Sequence, residues 1–199
     1  ARELRAEEVA GLRSRERVLF QLPNSIEFLY AFFALLRIGV IPVMTLPAHR
    51  ITELRHFAQH TDAVAHLIPG PSSNFDHGEL ADALRREVPS VRTVITAGTA
   101  RNGQVALQEM LAADVTAGDL ERLRREAFDD ADDVALMILS GGTTALSKVI
   151  PRTHNDYVYN SLQSGAVAGF GADTVYLASL PMSHGWTLSS PGILATLAH

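Results

Sequence analysis

Short runs of apolar and β-branched residues alternate along this chain with longer amphipathic stretches, and this alternation limits the possible folds more than any other feature. Parallel strands need crossover connections of about a dozen residues, and helices usually supply them. We therefore predict an α/β fold with a mostly parallel sheet and helices on both faces. The predicted elements of the first half are strands Arg17–Leu22, Val40–Leu46, Ala63–Ile68 and Val91–Thr96, and helices Ile26–Ile38, Thr52–His60 and Gly78–Val88.

A polar stretch, residues 99–133, separates these elements from the second half of the pattern. Its clustered charges over Asp114–Asp133 predict a solvated surface. Asn24, placed before Ser25-Ile26-Glu27, is typical of a capped helix start. The elements predicted after the polar stretch are strands Val134–Leu139, Val149–Thr153 and Thr174–Ala178, and helices Asn155–Phe170 and Thr187–Leu197.

Composition and charge exclude several classes of function. The net charge is −5 and the basic residues are scattered, so we expect no nucleic-acid partner. The most apolar window, Phe28–Leu36, is far shorter than the roughly 20 residues that cross a bilayer, so we expect no membrane partner. The chain has no cysteine and its eight histidines form no zinc-protease pairing, which predicts no metal ligands here and agrees with a reducing, cytoplasmic location.

A segment rich in glycine and hydroxyl groups follows the predicted strand Val134–Leu139. It reads Ser140-Gly141-Gly142-Thr143-Thr144-Ala145-Leu146-Ser147-Lys148. Its glycines let the backbone approach a ligand, while its N–H groups, hydroxyls and lysine suit phosphate oxygens. The strand before it and the lysine at its end favour a phosphate site over an ordinary turn. It is not a Walker A loop, which needs glycine before the lysine and Ser or Thr after it.

This segment resembles the loop of the adenylate-forming (acyl-adenylate synthetase) superfamily, whose pattern is Ser-Gly-Gly-Thr-Thr-Gly-x-Ser-Lys. One position departs from the pattern, because Ala145 stands where the family has glycine. If that glycine has a positive φ, alanine costs roughly 1 kcal/mol there.

Three further segments resemble one branch of this superfamily, the aryl-acid adenylating enzymes such as 2,3-dihydroxybenzoate–AMP and salicylate–AMP ligases. These enzymes serve siderophore and nonribosomal peptide biosynthesis. The segments are Gln21–Phe28 with Leu46–Arg50, then Ile150–Tyr157, and finally Leu180–His184 with Leu188–Gly192.

The resemblance implies that ATP and Mg²⁺ are used, that an aromatic carboxylic acid becomes an aryl-adenylate, and that pyrophosphate leaves. It assigns catalytic roles to His184, which would face the acid carboxylate and the α-phosphate, and to Lys148. The ATP phosphates would be bound by Ser140, Gly141, Gly142, Thr143, Thr144, Ser147 and Lys148.

The aryl-acid pocket implied by the resemblance comprises His184, Gly185, Trp186 and Ser190. Family members usually have asparagine and an aromatic residue after the histidine, and the asparagine reads the ring 2-hydroxyl. Gly185 lacks that side chain, whereas Ser190 matches the serine of the dihydroxybenzoate pocket. We therefore expect an aromatic acid with extra room or a different substituent near Gly185.

The resemblance also implies that residues 1–199 are a partial N-terminal adenylation domain with both ends truncated. The family's later motifs have no counterpart before His199, so the fragment alone is expected to be inactive. An aryl carrier protein, through its phosphopantetheine thiol, is the expected acceptor of the aryl group. Two alternatives stay open, an aryl- or acyl-CoA ligase and a non-catalytic binding protein of the same fold.

Overall fold

A computed structural model describes residues 10–72, 74–111, 116–118, 121, 130–141 and 147–199. Seven strands form one sheet in the order β5-β4-β3-β1-β2-β6-β7, and every neighbouring pair is parallel except β6 with β7. The strands are β1 Arg17–Phe20, β2 Ile41–Met44, β3 Ala65–Pro69, β4 Thr93–Ala97, β5 Val105–Ala106, β6 Val134–Leu139 and β7 Val149–Thr153. The helices whose ends lie among the described residues are α1 Ile26–Arg37, α2 Ile51–Thr61, α3 His77–Glu87, α4 Leu107–Leu111, α5 His154–Val167, α6 Gly185–Ser189 and α7 Gly192–Ala198.

Helices cover both faces of the sheet, which confirms the predicted fold class. Successive residues of a strand point to opposite faces, so Phe20 and Leu19 belong to different cores. On one face Phe20 packs edge-on against Phe28 of α1, with ring centroids 4.9 Å apart. On the other face Leu19 packs in a cluster with Phe57 of α2 and with residues of α3.

The parallel pairing brings three chain segments to one edge of the sheet. Strands β1, β2 and β6 are neighbours and run in the same direction, so their carboxyl ends lie together. The loop after β1 contains Asn24, and the predicted phosphate loop starts with Ser140 directly after β6. Open α/β sheets bind their ligands at this edge.

A buried histidine, His66, forms a hydrogen bond with Gln21, the residue that follows β1 at this edge. The Gln21 side-chain nitrogen donates to the carbonyl oxygens of Leu46, at 3.0 Å, and His49, at 3.1 Å. The Gln21 oxygen therefore accepts from Nε2 of His66, at 2.9 Å. Burial, together with a smaller effect of the neighbouring His77, lowers the pKa of His66 to about 3. His66 is therefore a neutral hydrogen-bond donor in the folded protein.

Two predicted elements of the second half are wrong. Residues Thr174–Ala178 form no strand, because no other described segment pairs with them, and the side chains of Val175 and Leu177 are 96% and 84% exposed. The predicted helix Thr187–Leu197 is two helices, α6 and α7. It breaks at Pro191, which has no N–H to donate, and Gly192 has a φ of +59°. A Cβ on Gly192 would lie 2.3 Å from the Thr187 carbonyl oxygen, so only glycine fits this break.

The predicted cap of α1 is also wrong by one residue. The Ser25 hydroxyl accepts from the Phe28 N–H and caps the helix. The Asn24 side chain makes other contacts, which are described below. The structure adds β5 and α4 inside the polar stretch, where we predicted no element. Of the predicted surface Asp114–Asp133, residues 114–115, 119–120 and 122–129 lie outside the described part.

Candidate active site

A β-hairpin holds the two ends of the predicted phosphate loop together, and we call its last paired residues, Ser140 and Lys148, the loop neck. Strands β6 and β7 are antiparallel and pair Leu139 with Val149. Beyond that pair, the Ser140 N–H donates to the Lys148 carbonyl at 2.9 Å, and the Lys148 N–H donates to the Ser140 hydroxyl oxygen at 2.9 Å. Both ends of the loop are therefore fixed relative to the sheet.

The neck leaves two groups available for an anion. The Ser140 hydroxyl accepts one hydrogen bond and retains its own proton to donate. Lys148, the chain's single lysine, has an exposed side chain and makes no ion pair with any residue that the structure describes. Gly141 is exposed and Ser147 is half-buried. Gly142, Thr143, Thr144 and Ala145 lie outside the described residues, so their predicted roles stay predictions.

His184 immediately precedes α6, and a local contact determines which ring nitrogen it exposes. Its Nδ1 accepts from the Trp186 N–H at 3.2 Å, and its own backbone N–H donates to the Pro181 carbonyl at 3.0 Å. A neutral imidazole that accepts at Nδ1 carries its proton at Nε2. The exposed ring of His184 can therefore donate Nε2–H to an anionic oxygen.

Gly185 lies against the strand that leads into the loop. A Cβ built on Gly185 would lie 3.7 Å from Cδ1 of Ile138 and 3.8 Å from the hydroxyl of Tyr157. Ile138 is two residues before Ser140, so the His184–Gly185 turn is next to the loop neck. The structure thus brings together the two parts of the site that the sequence predicts far apart in the chain.

The Tyr157 hydroxyl faces this empty position without a hydrogen bond to any described residue, although the residue is only 3% exposed. Burial raises the pKa of Tyr157, and the neighbouring Ser189 hydroxyl lowers it by less. We call the position where a Cβ of residue 185 would lie the notch. It is bordered by the apolar side chain of Ile138 and by the neutral hydroxyl of Tyr157.

The other two predicted pocket residues also lie on or next to α6. The Trp186 side chain is 66% exposed. The Ser190 hydroxyl oxygen accepts from the side-chain amide of Asn160 on α5 at 2.8 Å, and the same amide donates to the Ser189 hydroxyl at 3.1 Å. The hydrogen bond from Asn160 holds the Ser190 oxygen in place and leaves the hydroxyl proton available to donate.

Arg152, in β7, is held by α5. Its guanidinium pairs with the Asp156 carboxylate through two hydrogen bonds and lies 5.2 Å from the centre of the Tyr157 ring. The Arg152 guanidinium lowers the pKa of Asp156, and the Asp156 carboxylate raises the pKa of Arg152. Because its charge is already paired, Arg152 fits a structural role.

Sequence reasoning missed three side chains that shape this site, Asn24, Tyr157 and Asn160. Asn24 lies in the loop after β1, and the other two lie on the inner side of α5. Tyr157 belongs to a segment that resembles the aryl-acid enzymes, which was the available signal for it. No local pattern indicates that Asn24 or Asn160 contacts residues around His184, because these contacts join distant parts of the chain.

Three further observations concern the described residues. They contain no group of three or more histidine, aspartate and glutamate side chains arranged to hold a metal ion. Among the same residues no helix is both long and apolar enough to cross a membrane. An apolar cavity of about 230 Å³ opens between α1, α5 and α7, and its lining includes none of the predicted site residues.

Comparison with known proteins identifies similar sequences and folds. Residues 1–199 match the family described as AMP-binding enzyme. The chain is 41% identical over 187 residues to the 2,3-dihydroxybenzoate-AMP ligase of Bacillus subtilis, covering 94% of this chain and 33% of the relative. It is 40% identical over 187 residues to the salicyl-AMP ligase / salicyl-S-ArCP synthetase of Mycobacterium tuberculosis, covering 94% of this chain and 32% of that protein.

A solved structure is similar as well. The apo structure of MbtA from Mycobacterium smegmatis superposes with a TM-score of 0.85 at 40% identity, covering 98% of this chain and 35% of that one. The chain therefore spans about a third of the length of the relatives that it matches.

Proposed function

This chain belongs to the AMP-binding enzyme family, and from that premise we propose that it is part of an enzyme that activates an aromatic carboxylic acid with ATP. A carboxylate oxygen bonds to the α-phosphorus, and the bond from that phosphorus to the bridging oxygen breaks. Pyrophosphate leaves with the electron pair. The placement of the His184–Gly185 turn beside the hairpin neck of Ser140 and Lys148 carries this proposal.

The loop binds the leaving phosphates in this proposal. The Lys148 ammonium neutralises charge that develops on pyrophosphate, and the Ser140 hydroxyl donates to a phosphate oxygen. A fixed donor in such a position contributes on the order of 100-fold to the rate, because it needs little reorganisation during the reaction. Gly141, Gly142, Thr143, Thr144 and Ser147 supply further N–H and hydroxyl donors around the same phosphates.

His184 acts on the other side of the reacting phosphorus. With Nδ1 occupied by the Trp186 N–H, its Nε2–H is directed outward. We propose that this N–H donates to oxygens of the acid carboxylate and the α-phosphate, and so holds two anions close together. Positioning of this kind accounts for much of the catalysis in reactions that join two substrates.

We propose that ATP binds as its complex with Mg²⁺. When bound, the ion would neutralise part of the charge of the phosphates.

The residues around α6 support the substrate class that we propose. Ile138, Trp186 and the ring of Tyr157 provide apolar surface, which suits an aromatic ring, and the names of the relatives support an aryl acid. We propose an acid related to 2,3-dihydroxybenzoate or salicylate, or a heteroaryl analogue, bound between His184, Gly185, Trp186 and Ser190.

The aryl group is then passed to the phosphopantetheine thiol of an aryl carrier protein, in siderophore or nonribosomal peptide biosynthesis. The name of the Mycobacterium tuberculosis relative, a salicyl-S-ArCP synthetase, supports this acceptor. We place the enzyme in the cytoplasm, where thiols stay reduced.

Acid-dependent exchange of labelled pyrophosphate into ATP tests the proposal in the full-length protein. We expect exchange with salicylate, dihydroxybenzoates or heteroaryl acids and little with aliphatic acids. If none of the acids supports exchange, adenylation is contradicted. A preference for aliphatic acids would contradict the aryl pocket. Product analysis with an aryl carrier protein and with coenzyme A then identifies the acceptor.

A further inference from the structure

Two asparagine side chains hold the segment that carries His184 at its two ends. At the first end the side-chain nitrogen of Asn24 donates to the carbonyl oxygens of Ala178, at 3.0 Å, and Leu180, at 2.9 Å. The Asn24 oxygen accepts from the Met182 N–H at 2.7 Å. At the second end Asn160 binds the hydroxyl groups of Ser189 and Ser190.

The first contact matters because this end of the segment has little secondary structure. Residues 174–184 form neither a helix nor a strand. The backbone–backbone hydrogen bonds that residues 178–184 make in the described structure are all short-range: Ser179 N–H to Leu177, His184 N–H to Pro181, and Leu188 N–H to His184. Beside the packing of Met182 in the core, the amide of Asn24 thus provides hydrogen bonds that tie this stretch to the loop after β1.

The chemistry of the contact requires an amide. Asn24 must donate twice and accept once within one side chain, and aspartate would turn a negative oxygen toward two carbonyl oxygens. Backbone on either side restricts it further, because Pro23 precedes it and Ser25 caps α1. The backbone of Asn24 is therefore held in place at the carboxyl edge of the sheet.

We infer that Asn24 is a positioning residue for catalysis, which sets the location of the His184 ring relative to the loop neck. Met182, whose N–H it binds, is two residues before His184 and is itself 5% exposed against the core. Loss of the amide frees the backbone from Ala178 to Met182 and lets His184 move while Lys148 stays in place. The inference rests on the proposed function, because it assigns a role to a residue acting through His184.

The test compares Asn24→Ala and Asn24→Asp with Ser25→Ala in full-length protein. Ser25→Ala removes the adjacent helix cap and serves as the control for lost stability. We expect the Asn24 variants to lower kcat of pyrophosphate exchange by 10- to 100-fold, with the KM for ATP changed by less than threefold. Ser25→Ala should lower the melting temperature and leave kcat within twofold of wild type.

Hydrogen exchange of peptides covering residues 178–184 provides a readout that does not depend on activity. We expect faster exchange in Asn24→Ser, a milder variant, than in wild type, and unchanged exchange in β1 and β2. Wild-type kcat in folded Asn24→Ala, or unchanged hydrogen exchange in Asn24→Ser, would overturn the inference. A wild-type protein without acid-dependent pyrophosphate exchange would instead refute the proposed function, and the hydrogen-exchange comparison would still test the contact.

Discussion

The hydroxyl of Tyr157 lies 3.8 Å from the point where a Cβ on Gly185 would be, and it has no hydrogen-bond partner in the described structure. This distance is an ordinary van der Waals contact, and Gly185 does not have a positive φ. A Cβ therefore fits at position 185 without displacing the backbone. Its absence leaves a notch at the place where we propose that the ring of the acid binds.

Gly185→Asn should shift selectivity toward salicylate and 2,3-dihydroxybenzoate. An asparagine there supplies a hydrogen-bonding group for the ring 2-hydroxyl, which corresponds to a change of about tenfold. The measurement is the ratio of kcat/KM values across a panel of benzoates and heteroaryl acids. Gly185→Ala is the matched control, because it fills the notch without a polar group. Ratios that do not move, or that move equally in both variants, would show that position 185 does not read the ring.

Lys148→Ala should lower pyrophosphate exchange on the order of 100-fold, because a cation near the leaving phosphates is lost. Its exposed side chain predicts a change of less than about 0.5 kcal/mol in the free energy of unfolding. Lys148→Arg keeps the charge and should retain more activity than alanine. Unchanged exchange in a folded Lys148→Ala protein would remove Lys148 from the phosphate site.

Ala145→Gly should raise or preserve the rate of adenylation. Glycine at this position restores the pattern of the family and adds backbone freedom without a steric cost. Steady-state exchange rates of the variant and wild type give the comparison. A large loss of activity would mean that the Ala145 methyl group makes a specific contact, and that the family pattern misleads at this position.

Stability should fall with acid because of His66. Its pKa, about 3 in the folded state, is lower than the value near 6.5 expected when unfolded, so only the unfolded state takes up a proton between these values. The contribution of neutral, buried His66 to the free energy of unfolding is complete above pH 6.5. It is lost as the pH falls toward 3, at about 1.4 kcal/mol per pH unit. Urea unfolding at pH 6.5, 5.5 and 4.5 measures it. His66→Gln should flatten this dependence, and an unchanged slope would contradict a buried neutral His66.

Much of the fold follows from local sequence patterns. The strands and helices to residue 97, and the strands β6 and β7, match the predicted elements within a few residues, because apolar periodicity reports directly which residues are buried. The antiparallel pairing of β6 with β7 was not predicted. The strand predicted at Thr174–Ala178 fails for a physical reason. Val175 and Leu177 alternate as in a strand, but a strand also needs a partner, and alternation does not specify one.

The site was predictable only in part for a similar reason. Residues near one another in the chain, such as Ser140 with Lys148, are recognisable from their spacing. Asn24 is different, because asparagine before Ser25 fits a helix cap locally, whereas its amide binds backbone more than 150 residues away. The same holds for Asn160 and the hydroxyl of Ser190.

A structure of the full-length protein bound to a hydrolysis-resistant analogue of an aryl-adenylate tests the central claim most directly. We predict that the aryl ring lies in the notch between Gly185, Ile138 and Tyr157. The group that replaces the α-phosphate should lie within hydrogen-bond distance of Nε2 of His184, on the side of the site that faces the loop neck at Ser140 and Lys148. An aryl ring bound away from Gly185, or an analogue that contacts neither His184 nor the loop, would contradict the account.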